Sequence, residues 1–395
     1  MFDPFRESVD PEKYLIVTYH MSSTISLKKA AYDLAIGQSM GNPNERNSWE
    51  TDEMFERHSC LVLSTTLEDA KEGFVDIAFA VENTDWDGDG IAHLMCQISG
   101  GQADIDHITR SRVIDLKIPQ SVRKHFHTPK YGISGLRAFN QQFDKPFMGG
   151  IVKPKTGLSP ARLLEMVKQM VDGGVDFIKE DEILSNPQFC SLADRVPLIS
   201  NYIQNCGRAV KYCFSINGDP HVIESRVKFI ASEGGNGVHI NFWSGLGVYH
   251  SIRRLDLPIY LHYQKSGDKA ITHHANAFGI SWYVMCQLAA LAGVDSLHAG
   301  MYGGYLSDEE TQLNILMKML QTNNVIPGLS CGMHAGLVNH ITEHVGNDYL
   351  ANTGGAIHGH PRGTTAGCKA MRQAIDHTYG TEYDEAIKKW GLING

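Results

Sequence analysis

Gly173-Gly-Val-Asp-Phe-Ile-Lys-Glu-Asp-Glu-Ile183 places a helix stop, a strand and a charged strand end in one short stretch. The segment before it, Ser159 to Asp172, opens on Ser159-Pro160, a hydroxyl cap followed by a proline at the first helical position. Gly173-Gly174 ends that helix. Val175 to Ile178 reads as a buried strand, and it delivers Lys179, Asp181 and Glu182 to one spot. Two carboxylates at that spacing suit a hard cation such as Mg2+, which takes oxygen ligands. An ammonium beside them would repel the cation. The lysine makes sense there as a charge anchor, or as an anion formed by taking up CO2 as a carbamate. Taken alone, the four charges also fit a solvated strand end.

From Phe147 onward the same unit recurs. Candidate strands are 149–153, 175–179, 210–216, 237–241, 258–263, 295–299, 326–330 and 349–353, all near-continuous apolar runs, as parallel strands covered on both faces should be. Helix-length segments separate them, and glycines such as Gly234-Gly235 stop several. Strand–helix units repeated eight times predict a (β/α)8 barrel over residues 146–395. An open doubly wound sheet would carry fewer units and an early phosphate loop, and neither is present.

Residues 1–145 read differently. Tyr14-Leu-Ile-Val-Thr-Tyr, Cys60-Leu-Val-Leu-Ser, Phe74-Val-Asp-Ile-Ala-Phe-Ala-Val and Arg112-Val-Ile-Asp-Leu-Lys-Ile are short runs that alternate with polar residues. Antiparallel strands with one wet face give that pattern. Helices are expected at Thr24 to Gln38 and near Gly90 to Ser99, so this part is predicted to be an α+β domain.

The chain has 395 residues, with 42% apolar and 20% charged residues, the balance of a globular protein with ample core. A formal charge of -9 argues against non-specific nucleic-acid binding, although local cations can still hold an anionic substrate. Met1-Phe-Asp-Pro-Phe-Arg-Glu lacks a basic segment followed by an apolar run, so no signal peptide is expected. No membrane span is expected either, and Ile280 to Val294 reads as a buried helix. The eight cysteines show no CxxC spacing and read as reduced thiols of a cytoplasmic protein.

In a barrel of this kind chemistry gathers at the C-terminal strand ends. Read in order, those ends carry Lys153-Pro-Lys155; Lys179, Asp181 and Glu182; Asn217; His239 and Asn241; His262, Gln264 and Lys265; His298; Ser330-Cys-Gly332 with His334; and Asn352-Thr-Gly-Gly355 before Ile357-His-Gly-His360. Each has an ordinary structural role when taken singly. Together they place many cationic and metal-binding groups on one rim, at a cost in stability that a ligand would offset. Glycines after the last two strands are where barrels cradle a phosphate with backbone N–H groups. The chemistry that fits is enolisation of a phosphorylated carbonyl compound. A divalent metal on Asp181, Glu182 and an anionic Lys179 would hold the enolate charge, with Lys153 as base and Lys155 as a charge contact.

Gly150-Ile-Val-Lys-Pro-Lys-Thr-Gly-Leu158, Gly174-Val-Asp-Phe-Ile-Lys-Glu-Asp-Glu182 and Gly355-Ala-Ile-His-Gly-His-Pro361 resemble the large subunit of RuBisCO, and the resemblance covers most of the chain. It implies a ferredoxin-like N-terminal domain before the barrel. It also implies a carbamylated Lys179 with Asp181 and Glu182 as Mg2+ ligands, and Lys153 as the residue that abstracts the substrate proton. Ser330, Gly332, Gly354 and Gly355 match the phosphate-binding positions. Lys155, His262, Lys265 and His298 complete the expected catalytic set. A homodimer or larger homo-oligomer is implied, because the family builds each site from two subunits.

The departures point away from carbon fixation. Within His298-Ala-Gly-Met-Tyr-Gly-Gly-Tyr-Leu-Ser307, Tyr305 stands where the family has its mobile lysine. Gln264-Lys265 replaces the His-Arg pair, Gly37 and Asn42 replace the Glu and Thr that cross between subunits, and the substrate-holding Asn falls near Gly101. The chain is similar to RuBisCO-like proteins, the form IV group, which keep the metal site and lose carboxylation. Gly37, Gly332-Met-His-Ala-Gly336 and Ile357-His-Gly-His-Pro361 resemble the branch that enolises 2,3-diketo-5-methylthiopentyl 1-phosphate in methionine salvage. That branch takes its base from a lysine in the segment matching Ser99-Gly-Gly-Gln102, which has none here. It also lacks the second lysine of the Lys-Pro-Lys motif, kept here as Lys155. Isomerisation of 5-methylthioribulose 1-phosphate, decarboxylation or hydrolysis of a phosphorylated branched oxo-acid such as 3-oxo-isoapionate 4-phosphate, and a non-catalytic binding role stay open.

Overall fold

The computed structural model describes residues 2–64, 70–305 and 308–393, in two compact units: 1–127 with 267–292, and 128–266 with 293–395. The division after His127, rather than at 145, follows from the helix Gly132–Asn140, whose Ile133 and Leu136 belong to the core of the second unit.

The first unit is built on β1 (Tyr14–Ser23), in which buried and half-buried residues alternate strictly. Leu15, Val17, Tyr19 and Met21 face the core, and the period of two presents the opposite face to water. After β1 come α1 (Leu27–Gly37), α2 (Asp52–His58), β2 (Leu61–Val62), β3 (Glu72–Ala80), α3 (Gly90–Ile98) and β4 (Ile108–Lys117). Ser26 caps α1 by accepting from the Lys29 amide. The sheet order β4-β1-β3-β2, with antiparallel neighbours, is that of a ferredoxin-like domain. A fifth strand, Phe278–Ile280, joins its edge parallel to β4. The helix Trp282–Leu291 follows, and Gln287 Nε2 donates to Asp115 Oδ1 (3.2 Å) and the Leu116 carbonyl (3.1 Å). These contacts assign residues 267–292 to the first unit rather than to the C-terminal one.

The second unit is a closed parallel barrel of eight strands. They are β5 (Phe147–Ile151), β6 (Phe177–Lys179), β7 (Lys211–Ser215), β8 (Gly237–Asn241), β9 (Tyr260–Gln264), then Ser296–Gly300, Ile326–Leu329 and Leu350–Thr353. Nearly every strand residue is buried, which accounts for the apolar runs. Phe147, Phe177, Tyr260, Ile326 and Leu350 open their strands and form one layer, against which Ile133, Leu136 and Tyr131 pack. Asp295 accepts from the amides of Tyr131 (2.7 Å) and Gly132 (3.1 Å), fixing the start of that helix. The N-terminal end of the barrel is thereby filled, and chemistry is left to the opposite end.

No described helix is long and apolar enough to cross a membrane. None of the eight cysteines is in a disulfide.

Candidate active site

The C-terminal strand ends enclose a cavity of about 630 Å³. Lys153, Lys155, Lys179, Asp181, Glu182, His298, Ser330, Gly332, Gly354 and Gly355 all line it. His262 and Lys265 do not. His262 is fully buried inside the barrel, with Nδ1 2.7 Å from Ser296 Oγ. Burial and the nearby Lys179 charge push its pKa down to about 3. Lys265 is also buried, and its charge helps burial hold His298 well below the usual histidine range.

The charged stretch after β6 divides by side. Lys179 pairs with Cys213 of β7 in the ladder, and the Glu180 amide continues it to the Cys213 carbonyl (3.1 Å). Extended backbone then alternates the side chains. Lys179 and Asp181 turn into the cavity, and Glu180 turns away into the protein. Glu180 and Arg195 are both wholly buried and joined by two bonds, Nε to Oε1 at 2.8 Å and Nη2 to Oε2 at 2.9 Å. Tyr212 OH and the Ser215 amide also donate to that carboxylate. Arg195 also donates from Nη1 to the Cys190 carbonyl and from Nη2 to the carbonyls of Ser185 and Ser215.

On the cavity side each charge has fewer partners. Lys153 Nζ lies 2.5 Å from Asp181 Oδ2. Lys179 Nζ lies 3.3 Å from Glu182 Oε2 and 3.4 Å from the Glu180 carbonyl, long for ammonium bonds. Burial opposes ionisation of Glu182. The Lys179 charge, the Ser266 hydroxyl and a backbone hydrogen bond outweigh it and hold the carboxyl well below the usual range. Among the described residues no three His, Cys, Asp or Glu side chains gather closely enough to hold a metal ion.

His298 Nε2 lies 2.8 Å from Ser330 Oγ, and Cys331 Sγ is 3.8 Å from the same nitrogen. The two glycine segments differ. Gly332 has φ 116°, and a Cβ there would stand 2.7 Å from the Gly304 Cα and the Tyr305 amide, so the backbone itself demands glycine. A Cβ on Gly355 would meet nothing within 4 Å, so that glycine keeps open space against the cavity wall. Tyr305 stands on the rim, 86% exposed. Leu306 and Ser307, which end that stretch, lie outside the described residues.

Met333, His334, Lys389 and Trp390 also line the cavity. Lys389 and Trp390 come from the helix Thr381–Trp390, whose sequence carries no sign of a site. Ser266, which also lines the cavity, was likewise not legible. His358 and His360, by contrast, are engaged with backbone: His358 Nε2 with the Ile151 carbonyl (2.9 Å), His360 Nε2 with the Glu382 carbonyl (3.0 Å).

In the first unit Gly37 and Asn42 line a separate cavity of about 470 Å³ with Asp33, Gln102 and His107. A Cβ at Gly37 would fall 2.4 Å from Gln102 Oε1, so the glycine makes room for that side chain.

Residues 132–390 match the family model of the ribulose bisphosphate carboxylase large chain catalytic domain, and residues 6–122 match that of its N-terminal domain. The chain is 29% identical to a ribulose bisphosphate carboxylase of Pyrococcus furiosus, over 96% of this chain and 94% of that one. It is 28% identical to a 2,3-diketo-5-methylthiopentyl-1-phosphate enolase of Exiguobacterium sibiricum (96% and 99%). It is 30% identical to a 3-oxo-isoapionate-4-phosphate decarboxylase of Rhizobium etli (91% and 92%). Among solved structures, an octameric ribulose-1,5-bisphosphate carboxylase/oxygenase of Pyrococcus horikoshii superposes with a TM-score of 0.87 at 26% identity, covering 98% of this chain and 95% of that one. The chain belongs to the ribulose bisphosphate carboxylase large-chain family.

Proposed function

We propose that this chain is a RuBisCO-like enzyme of the form IV group, which enolises a phosphorylated keto-sugar or oxo-acid and does not fix CO2. The observation that carries the reading is the convergence of Lys153, Lys179, Asp181 and Glu182 on one cavity that Gly354 and Gly355 also line. A family match over both domains adds support, since named relatives include an enolase and a decarboxylase.

Asp181 and Glu182 supply two hard oxygen donors, and the third comes from Lys179. Its ammonium loses one proton to give the neutral amine, Nζ adds to CO2 with formation of an N–C bond and loss of a second proton, and the cation at that position becomes a carbamate anion. The buried amine with only long contacts fits this role better than it fits a satisfied ion pair. Mg2+ held by these three groups supplies Lewis acidity toward a carbonyl. Lys153 takes the proton from the carbon beside that carbonyl, and Lys155, which lines the same cavity, contributes positive charge. Backbone amides at Gly332, Gly354 and Gly355, with Ser330, hold the phosphate. His298, kept neutral by burial, offers hydrogen bonds rather than charge. Lys265 acts through its field on His298, and His262 supports the wall from inside the barrel.

Decarboxylation is the second reading, favoured by the 30% identity to the Rhizobium etli enzyme. Loss of CO2 from a 3-oxo-acid leaves the same type of enolate, so the same residues serve. Tyr305, at the position where a carboxylase presents its lysine, argues against carbon fixation. The enzyme works in the cytoplasm as a homodimer or larger homo-oligomer, by analogy with the octameric relative.

Deuterium uptake from heavy water into a panel of phosphorylated ketoses and oxo-acids tests this. Uptake should require Mg2+ and vanish in Lys179→Ala. Uptake at the wild-type rate in that variant, or labelled CO2 entering ribulose bisphosphate, would overturn the reading.

A further inference from the structure

Four consecutive barrel strands are tied together at their C-terminal ends by a closed ring of hydrogen bonds that begins and ends on Glu182. Asn217, two residues beyond β7, donates from Nδ2 to the Glu182 carbonyl (2.5 Å). Its Oδ1 accepts from the Asn241 amide at the end of β8 (2.7 Å). Asn241 Nδ2 donates to the Ser266 carbonyl beyond β9 (2.9 Å). Ser266 Oγ then donates to Glu182 Oε1.

Every orientation in this ring is dictated. Asn217 faces a carbonyl on one side and an N–H on the other, so its amide has one acceptable setting. Asn241 is fixed likewise, because its Oδ1 accepts from the Trp243 amide (3.0 Å) while Nδ2 faces a carbonyl. The ionised Glu182 only accepts, so the single Ser266 hydroxyl proton goes to it. The Ser266 oxygen is then left to accept, and Gln264 Nε2 donates to it at 2.9 Å. Gln264 is 5% exposed and held by its place on β9, so the hydroxyl has little freedom to turn.

We infer that Ser266 is a positioning residue: it holds Glu182 Oε1 so that Oε2 is presented toward Lys179, the side on which these residues would hold a cation. The inference rests on the proposed metal role of Glu182. An acid whose backbone carbonyl and one carboxylate oxygen are both tied offers its other oxygen without first losing rotamer freedom. No other described side chain donates to Oε1, so removing the hydroxyl frees the carboxylate to swing.

The test is binding of Mn2+ alone, as a spectroscopic stand-in for Mg2+, to the full-length protein equilibrated with bicarbonate. It is followed by electron paramagnetic resonance in wild type, Ser266→Ala and Ser266→Thr. Ser266→Ala should bind Mn2+ about 10- to 100-fold more weakly, the usual effect of losing a hydrogen bond to a metal ligand. Ser266→Thr keeps the hydroxyl and should stay within about threefold of wild type. The thermal midpoints of all three should coincide, which separates positioning from a loss of fold. Equal Mn2+ affinity in Ser266→Ala and wild type overturns the inference while leaving the metal site standing. Ser266→Thr binding as weakly as Ser266→Ala also overturns it. Absence of Mn2+ binding in wild type would bring down the metal reading and this inference together.

Discussion

Glu180 and its three charged neighbours Lys179, Asp181 and Glu182 share one stretch of chain and have opposite fates. Glu180 is wholly buried with Arg195, and every oxygen of the one and nearly every donor of the other has a partner within the protein. Lys179, Asp181 and Glu182 face a cavity, paired by a single contact or at long range. A completed charge network needs nothing more from outside. An incomplete one is stable only because water, and in function a ligand, finishes it. The difference teaches where structure stops and chemistry begins: alternation sends Glu180 away from Lys179 and Asp181, and the turn that starts at Glu182 brings that carboxylate back to the cavity.

Lys179→Ala should separate the two halves most sharply. Proton exchange into substrate is expected to fall by on the order of 10⁴-fold, since Lewis-acid assistance is worth several kcal/mol and each 1.36 kcal/mol is tenfold. The urea midpoint should move by no more than about 1 kcal/mol in stability, because the lost side chain borders a cavity that water can fill. A destabilisation as large as that of the next variant would show that Lys179 is structural after all.

Arg195→Ala is the converse. It strands the Glu180 carboxylate in the interior and leaves three carbonyls without a donor, at a cost of about 3–5 kcal/mol. Urea unfolding should register that loss in full. Residual folded protein should keep the exchange chemistry at low temperature, because Arg195 touches no cavity group. Replacing both members, Arg195→Met with Glu180→Leu, should recover much of the stability, since an apolar pair of similar volume does not carry the desolvation cost. Failure of the double variant to recover would mean that Glu180 also sets the path of the chain that aims Asp181.

The eight barrel strands were readable because burial on both faces leaves an unbroken apolar run, and all eight fall within a few residues of their expected places. Strand ends carrying lysine, acid and glycine were readable for the same reason, since charge directly after such a run marks where the buried strand emerges at the rim. Phe278–Ile280 was not readable: three residues carry no period, and the partner strand β4 lies far back in the chain. Helix α2 was missed because Phe55 is its only buried residue. Arg195 gave no sign of its partnership with Glu180, because its helix position shows only that it is basic. His262 and Gln264 occupy the same face of β9 by the period of two. Depth along the barrel, which spacing does not encode, puts His262 in the core and Gln264 on the cavity wall.

At the filled end of the barrel a third charge sets the smallest effect. Lys211 opens β7 and is 3% exposed, with Nζ 4.1 Å from the ring centroids of both Tyr131 and Phe139. Burial disfavours its charged form and brings the pKa down to about 8, while Cys213 and Asp295 push weakly the other way. Facing rings favour the ammonium and offset part of the burial cost. An unfolded lysine titrates near 10.4. Between about pH 8 and about pH 10.4 the unfolded chain holds a proton that the folded chain does not, so this residue makes stability rise with pH across that window. Below about pH 8 both states are charged and the penalty is constant at its full value. Lys211→Met removes the charge and nearly keeps the volume, so it should stabilise the protein at pH 7 by on the order of 1 kcal/mol. That advantage should shrink to nothing by about pH 10.4. Urea midpoints of wild type and variant at the two pH values decide the matter. A variant weaker than wild type at pH 7 would mean that attraction to Tyr131 and Phe139 outweighs burial, and that this cation, like Arg195 and unlike Lys179, is complete within the fold.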